Sequence, residues 1–296
     1  MTVNTESRIN NLGTISRLGI AAVGGLVAAS ALGIGAAEGV GGITRRPGLW
    51  KIVGIGWVAF FAMALAIPLG TRAATRTQPT ALVWGYGLAS GAMVASAAAF
   101  LLPQAIGLHP RFGGFGVALG VVVGFGAHSI GHRLTHADLP FDHTAVELSA
   151  HALSAGAIIG LVYGNMPELG VLLGLAIVSH KGPAGYAAAR RLATGDKPPS
   201  VLLLPAAGVG LAGIPAALVQ LPAGAELRAV VFGFAAGVFL HVAMDFLPSC
   251  EVGGEVYEVA DISEHAHHTL DRLRLHAVGS VFVGGLAVFL AWITVA

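Results

Sequence analysis

Nine apolar runs, most of them about 20 residues long, leave this chain few folds to choose from. They occupy residues 18–39, 52–69, 81–102, 115–129, 145–164, 169–189, 201–221, 229–247 and 277–295. About 20 apolar residues in a helix cross the hydrocarbon of a bilayer. The whole chain is 55% hydrophobic and only 10% charged, whereas a soluble domain carries about 25% charge. One aqueous core cannot hide that much apolar surface. The expected fold is therefore an all-α polytopic membrane protein, a single membrane domain over residues 1–296. No ten-residue segments of alternating polarity occur, which argues against a transmembrane β-barrel. The fourth run is the shortest, and glycines at 113–114 and 131 flank it, so its helix is expected to extend past the apolar stretch.

Glycine is abundant, at 43 residues. Lipid offers helices no hydrophobic reason to associate, so small residues that allow close backbone approach hold such bundles together. The run at 18–39 follows Arg8 and Arg17, lacks a clear cleavage site, and is read as a retained N-terminal helix. Basic residues set orientation. With the N-terminus cytoplasmic, Arg8, Arg17, Arg72, Arg76, Arg133, Arg190, Arg191, Lys197, Arg272 and Arg274 lie inside. Arg45, Arg46, Lys51, Arg111 and Arg228 then lie outside, a minority in which the Arg45–Arg46 pair stands against the trend. A net charge of +1 gives no reason to expect nucleic acid as a partner. The lone Cys250 excludes an intrachain disulfide. No Walker loop, Gly-x-Ser-x-Gly or His-Glu-x-x-His is present, so an enzyme is not expected.

Function in such a chain is written in its intramembrane polar residues. Lys181 follows His180 inside the sixth run, where a cation costs roughly 2.5–3.5 kcal/mol on insertion scales. Pro183, between Gly182 and Gly185, removes a helical hydrogen bond and crowds the Ser179 carbonyl, so the helix is expected to break there. Broken helices at membrane depth build ion sites in transporters. In the fifth run Glu147 and His151 are four apart and share a helix face, with Ser154 on the same stripe. His241 and Asp245 lie in the eighth run. Each has a structural alternative: an interhelical hydrogen bond for His151 and His180, a solvated interface position for Glu147, an ion pair with Lys181 for Asp245.

Histidines also cluster between runs. His128, His132, His136 and His143 lie between the fourth and fifth, and Glu264, His265, His267, His268, Asp271 and His276 between the eighth and ninth. Both groups face the cytoplasm in the assumed orientation. Imidazole suits zinc, copper, iron and nickel. These are either transient metal-binding clusters or polar loops that simply contain histidine.

The pattern resembles the ZIP (zinc/iron permease-like) metal transporters. Their fourth core helix reads His-Asn-x-x-Glu/Asp-Gly, and the matching stretch here is His151–Ala152–Leu153–Ser154–Ala155–Gly156. Their fifth reads His/Gln-Asn/Asp/Glu-x-Pro-Glu-Gly, and the match is His180–Lys181–Gly182–Pro183–Ala184–Gly185. Gly91, Met93, Pro103 and Gln104 follow the pattern of the second core helix. Gly233–Phe234–Ala235–Ala236–Gly237, His241, Asp245 and Pro248 follow the seventh. The resemblance covers residues 52–296 and makes 18–39 an extra helix ahead of an eight-helix core.

The departures are as informative. Family ligand positions are filled by Ala152, Ala155, Lys181 and Ala184, and 201–221 holds no acid. The usual two-metal site cannot form from these residues. What the resemblance implies is a cell-membrane, multi-pass carrier of a zinc- or iron-class divalent cation into the cytoplasm. The cation is cargo, and no resident cofactor is implied. The implied ligands are His151 and His180 with Glu147 or Asp245, Lys181 standing in for one cation. Family members often pair, which implies a homodimer. Two alternatives stay open: a non-transporting relative with a structural or sensing role, and a transporter of another solute in which Lys181 binds an anion.

Overall fold

The structure, a computed structural model, describes residues 3–40, 45–46, 48–74, 79–135, 143–167, 170–171, 174–175, 178, 180–195, 197–222, 224–248, 250 and 266–295. The described residues form helices and no strands. Six helical segments are long and apolar enough to cross a membrane: Arg17–Glu38, Leu49–Ala73, Pro79–Leu108, Pro199–Ala216, Ala225–Asp245 and His268–Thr294. By length and composition the chain is a multi-pass membrane protein.

The helices are α1 (Val3–Glu38), α2 (Leu49–Ala73), α3 (Pro79–Ser96), α4 (Leu102–Leu108), α5 (Pro110–Thr135), α6 (His143–Asn165), α7 (Lys181–Thr194), α8 (Leu203–Ala216), α9 (Ala225–Asp245) and α10 (Ala266–Val295). α1 ends at Gly39, whose φ of 77° is the left-handed conformation that glycine adopts without steric cost. A π turn at Ala97–Leu101 joins α3 to α4. Its cause is Pro103, which cannot donate to the Ala99 carbonyl and forces the chain to widen. The short fourth run is extended as expected, because α5 starts at Pro110. The sixth run is not one helix. Helical residues occur at Val171, Gly174, Leu175 and Val178, His180 is a turn, and α7 starts at Lys181. Pro183 thus sits in a first turn, where its missing N–H has no intrahelical acceptor to lose.

Contacts divide the chain into two compact units. The first is Met1–Ala74, Leu139–Leu169 and Ala184–Gln220. Its centre is α8, buried at every position from Pro205 to Gly210. Small side chains on α8 admit several neighbours at once. Gly56 of α2 meets Gly210, with Ile52 opposite Gly213, so α2 and α8 are antiparallel. Gly25 and Gly33 of α1 meet Leu211 and Ile214, a parallel pair. Gly156, Gly160 and Gly164 of α6 meet Val209, Gly213 and Ala217, also parallel. α1 and α2 are antiparallel: Trp57 Nε1 donates to Ser30 Oγ at 3.0 Å, and Trp50 Nε1 to Glu38 Oε1 at 3.0 Å.

Arg46 and Lys51 serve the first unit locally. Arg46 Nη1 donates to the Leu218 carbonyl at 2.8 Å, just past the end of α8. Lys51 Nζ donates to the Pro167 carbonyl, just past the end of α6. Cations are favourable at helix C-termini, where carbonyls lack partners. That role accounts for basic residues on the side that the charge distribution marks as outside.

The second unit is Thr75–Asp138, Gly170–Pro183 and Leu221–Ala296. Gly113, Gly120 and Gly124 of α5 lie against Gly233, Gly237 and His241 of α9, a parallel pair. Leu88 and Ala95 of α3 lie against Gly284 and Gly285 of α10, again parallel. α3 and α9 are antiparallel: Ser90 Oγ donates to the Ala243 carbonyl at 2.6 Å, and Tyr86 meets Phe246 at a ring-centroid distance of 5.6 Å.

Candidate functional site

The interruption before α7 positions the residues of greatest chemical interest. His180 and Lys181 are 1% and 2% exposed, both in the second unit. The His180 ring lies 4.8 Å from the ring of Phe246, the residue that closes α9. Phe246 also meets Tyr86 of α3. A Cβ on Gly85 would come within 3.5 Å of the Pro183 ring, so the turn is seated on α3 as well. The Ser90–Ala243 hydrogen bond, one helical turn further along α3, pins α3 to α9 beside this cluster. Tyr86 and Phe246 were not among the sequence candidates. Their signals were adjacency to Asp245 for Phe246, and the four-residue spacing from Ser90 for Tyr86.

His241 and Asp245 are brought together. His241 Nε2 lies 3.2 Å from Asp245 Oδ2, one helical turn away. The His241 ring also fills the space beside Gly124, where a Cβ would come within 2.6 Å of it. The expected Lys181–Asp245 pair is not formed among the described residues. Asp245 is 41% exposed and engaged by His241, whereas Lys181 is 2% exposed. A local i,i+4 partner on the same helix prevailed over a distant one. Lys181 is buried at the first position of α7. Taking a charged group out of water costs several kcal/mol. Here it also sits at the positive end of a helix dipole.

His151 is half-buried on α6 and belongs to the first unit, as does Glu147, whose side chain lies outside the described residues. Ser154 Oγ donates back to the His151 carbonyl at 3.0 Å, so this hydroxyl serves the backbone. His128 and His132 fall on α5, His143 opens α6 and His267 falls in the first turn of α10; their side chains lie outside the described residues. His136 and His265 lie outside them entirely. His268 is exposed. The second histidine group is not all loop, because α10 reaches back to Ala266. Within it Asp271 Oδ1 accepts from Arg274 Nη1 at 2.9 Å, and His276 Nδ1 accepts from Trp84 Nε1 at 3.1 Å. Those two residues therefore have structural partners. Among the described residues no three His, Cys, Asp or Glu side chains converge on one point.

Chemically, the second unit offers a buried imidazole and a buried ammonium at a chain interruption, with a histidine–carboxylate pair on the adjoining helix. Such groups can coordinate a soft or borderline cation, carry a proton or hold an anion. No protein-family model and no curated protein matches the chain.

Proposed function

We propose that this chain is a cell-membrane transporter that passes a zinc- or iron-class divalent cation into the cytoplasm through a divergent ZIP-like bundle. The observation that carries the reading is His180. A fully buried imidazole at an interrupted helix, held against Phe246 beside the His241–Asp245 pair, is where a membrane protein handles an ion. In the second unit the metal would meet His180 as a nitrogen donor, with Asp245 adding oxygen, and His151 and Glu147 are separate candidate donors in the first unit. Imidazole with carboxylate suits zinc, and so few oxygens do not suit calcium or magnesium. The cytoplasmic histidines His128, His132, His136, His143, His265, His267 and His268 would receive the cargo.

Helix directions support nine crossings. If each apolar run crosses once, runs of equal parity are parallel and the others antiparallel. In the first unit, the first, fifth and seventh runs are mutually consistent as parallel, and the second opposes the first and seventh. In the second unit, the fourth and eighth are parallel, the third and ninth are parallel, and the third opposes the eighth. The test is metal uptake in a host deficient in its own transporters. Uptake above the empty-vector level, abolished by His180→Ala and reduced by His151→Ala, is expected. Uptake indifferent to both substitutions would remove the proposed path.

A further inference from the structure

The turn between α4 and α5 bears a cleft that the proposed metal path does not use. Its volume is about 540 Å³, and His109, Arg111, Phe112 and Phe115 line it, all in the second unit. Ligand sites are concave, mostly apolar and oriented by a few polar groups. Local contacts fix this one. His109 Nδ1 accepts from the Phe112 N–H at 3.4 Å, and the two rings meet edge to face at 4.8 Å. An Nδ1 that accepts leaves the proton of the neutral ring on Nε2, which is then a donor. Arg111 and Phe115 are four apart on α5 and share a face, with Phe115 about 6 Å further along the helix. Phe112 and Phe115 are 41% and 59% exposed, and Arg111 is exposed.

The cleft lies where a lipid headgroup would lie. α10 runs parallel to α3, so it ends on the side where α4 ends, and it carries Trp292 there. Tryptophan gathers at the membrane–water boundary. Positive charge is in excess at this level. Gly120 and Gly124 of α5 lie opposite Gly237 and His241 of α9. Carried to the start of both helices, that register sets Arg228 level with Arg111. Arg228 Nε is buried with no hydrogen-bond partner among the described residues. Glu226 is the one acid in the first turns of α5 and α9, so two guanidinium groups outweigh one carboxylate.

We propose that this cleft binds an anionic phospholipid, its phosphate held by the Arg111 guanidinium and His109 Nε2, and one acyl chain lying against Phe112 and Phe115. A guanidinium takes two phosphate oxygens at once. The aromatic wall, one helical turn deeper, has no use for a free phosphate and fits hydrocarbon attached to one. The excess positive charge favours a lipid of net negative charge over a zwitterionic lipid with the same phosphate. Binding is assayed without any metal, so its outcome is independent of the uptake experiment.

The experiment uses full-length protein in a neutral detergent, stripped of lipid. It is titrated with a phosphatidylglycerol that carries a photoactivatable group on an acyl chain, and the labelled peptides are located by mass spectrometry. Saturable labelling at residues 109–115 is expected. Unlabelled phosphatidylglycerol should displace it, and neither phosphatidylcholine with the same chains nor inorganic phosphate should do so. Arg111→Gln should need about tenfold more lipid for half-saturation, and Phe115→Ala should weaken binding as well. No labelling at these residues, equal displacement by phosphatidylcholine, or an unchanged half-saturation in Arg111→Gln overturns the proposal, leaving an ordinary lipid-facing surface. Displacement by inorganic phosphate also overturns it, in favour of a free-anion site. Should Arg111→Gln fail to fold, the displacement series on the parent decides.

Discussion

Replacing Gly156 by alanine tests whether close backbone approach holds the first unit together. A Cβ on Gly156 would lie 2.5 Å from the Val209 carbonyl oxygen and 2.8 Å from its Cα. Ordinary contact begins near 3.4 Å, so α6 and α8 must part by up to 0.9 Å (3.4 minus 2.5). Neither partner atom is a flexible side-chain end, so the backbone itself must move. Such overpacking costs about 1–3 kcal/mol. Alanine returns about 0.8–1.0 kcal/mol of helix propensity. The steric term wins over most of that range, and a net loss of up to about 2 kcal/mol is expected. Gly54 of α2 is the control: it is exposed, and a Cβ there meets nothing within 4 Å. Gly54→Ala should keep the propensity gain and lose nothing. The assay is the midpoint of thermal loss of monodisperse protein in detergent. Gly156→Ala should fall below the parent and Gly54→Ala should match or exceed it. A Gly156→Ala midpoint at or above that of Gly54→Ala would refute the packing argument. Gly156→Ala combined with Gly160→Ala should cost less than the sum of the two, because both part the same helices.

Other substitutions probe single contacts. Ser30→Ala removes the acceptor of Trp57 Nε1 and should cost about 1 kcal/mol, read as a lower thermal midpoint with shifted tryptophan emission. Arg46→Ala should lower the midpoint by leaving the Leu218 carbonyl without its donor, while Arg45→Ala, an exposed neighbour, should not. Cys250 is buried, and burial raises its thiol pKa above the ordinary range, partly offset by the Arg274 charge. The thiolate is the reactive form. Maleimide labelling should therefore be slow at neutral pH and accelerate only in a more alkaline window than a free thiol needs. Arg274→Met should move that window further up, and labelling as fast as that of an exposed thiol at neutral pH would contradict this account.

Much of the fold was legible because hydropathy and length act over whole segments. The runs at 18–39, 52–69, 81–102, 201–221, 229–247 and 277–295 correspond to segments apolar and long enough to cross a membrane. The sixth run was harder to read. Proline marked a break, but whether Pro183 kinks one helix or begins another depends on how His180 packs on Phe246, a contact distant in sequence. The start of α10 was missed because its first turns are polar, and an apolar window cannot see a helix that leaves the bilayer before it ends. The His241–Asp245 pair was readable from its spacing of four, yet charge complementarity drew attention to Lys181 instead. Complementary charges indicate what could pair, whereas spacing on one helix fixes what does. Direction was also hidden, because the parallel packing of α5 with α9 and of α3 with α10 depends on which glycines face each other.

The most direct measurement of the central claim is uptake of radioactive zinc by proteoliposomes that hold the purified protein alone. Saturable uptake by the parent, lost in His180→Ala while the variant keeps the parent's thermal midpoint, is the predicted result. A folded parent that admits no zinc or ferrous iron, or a His180→Ala variant that admits them as fast as the parent, would contradict it.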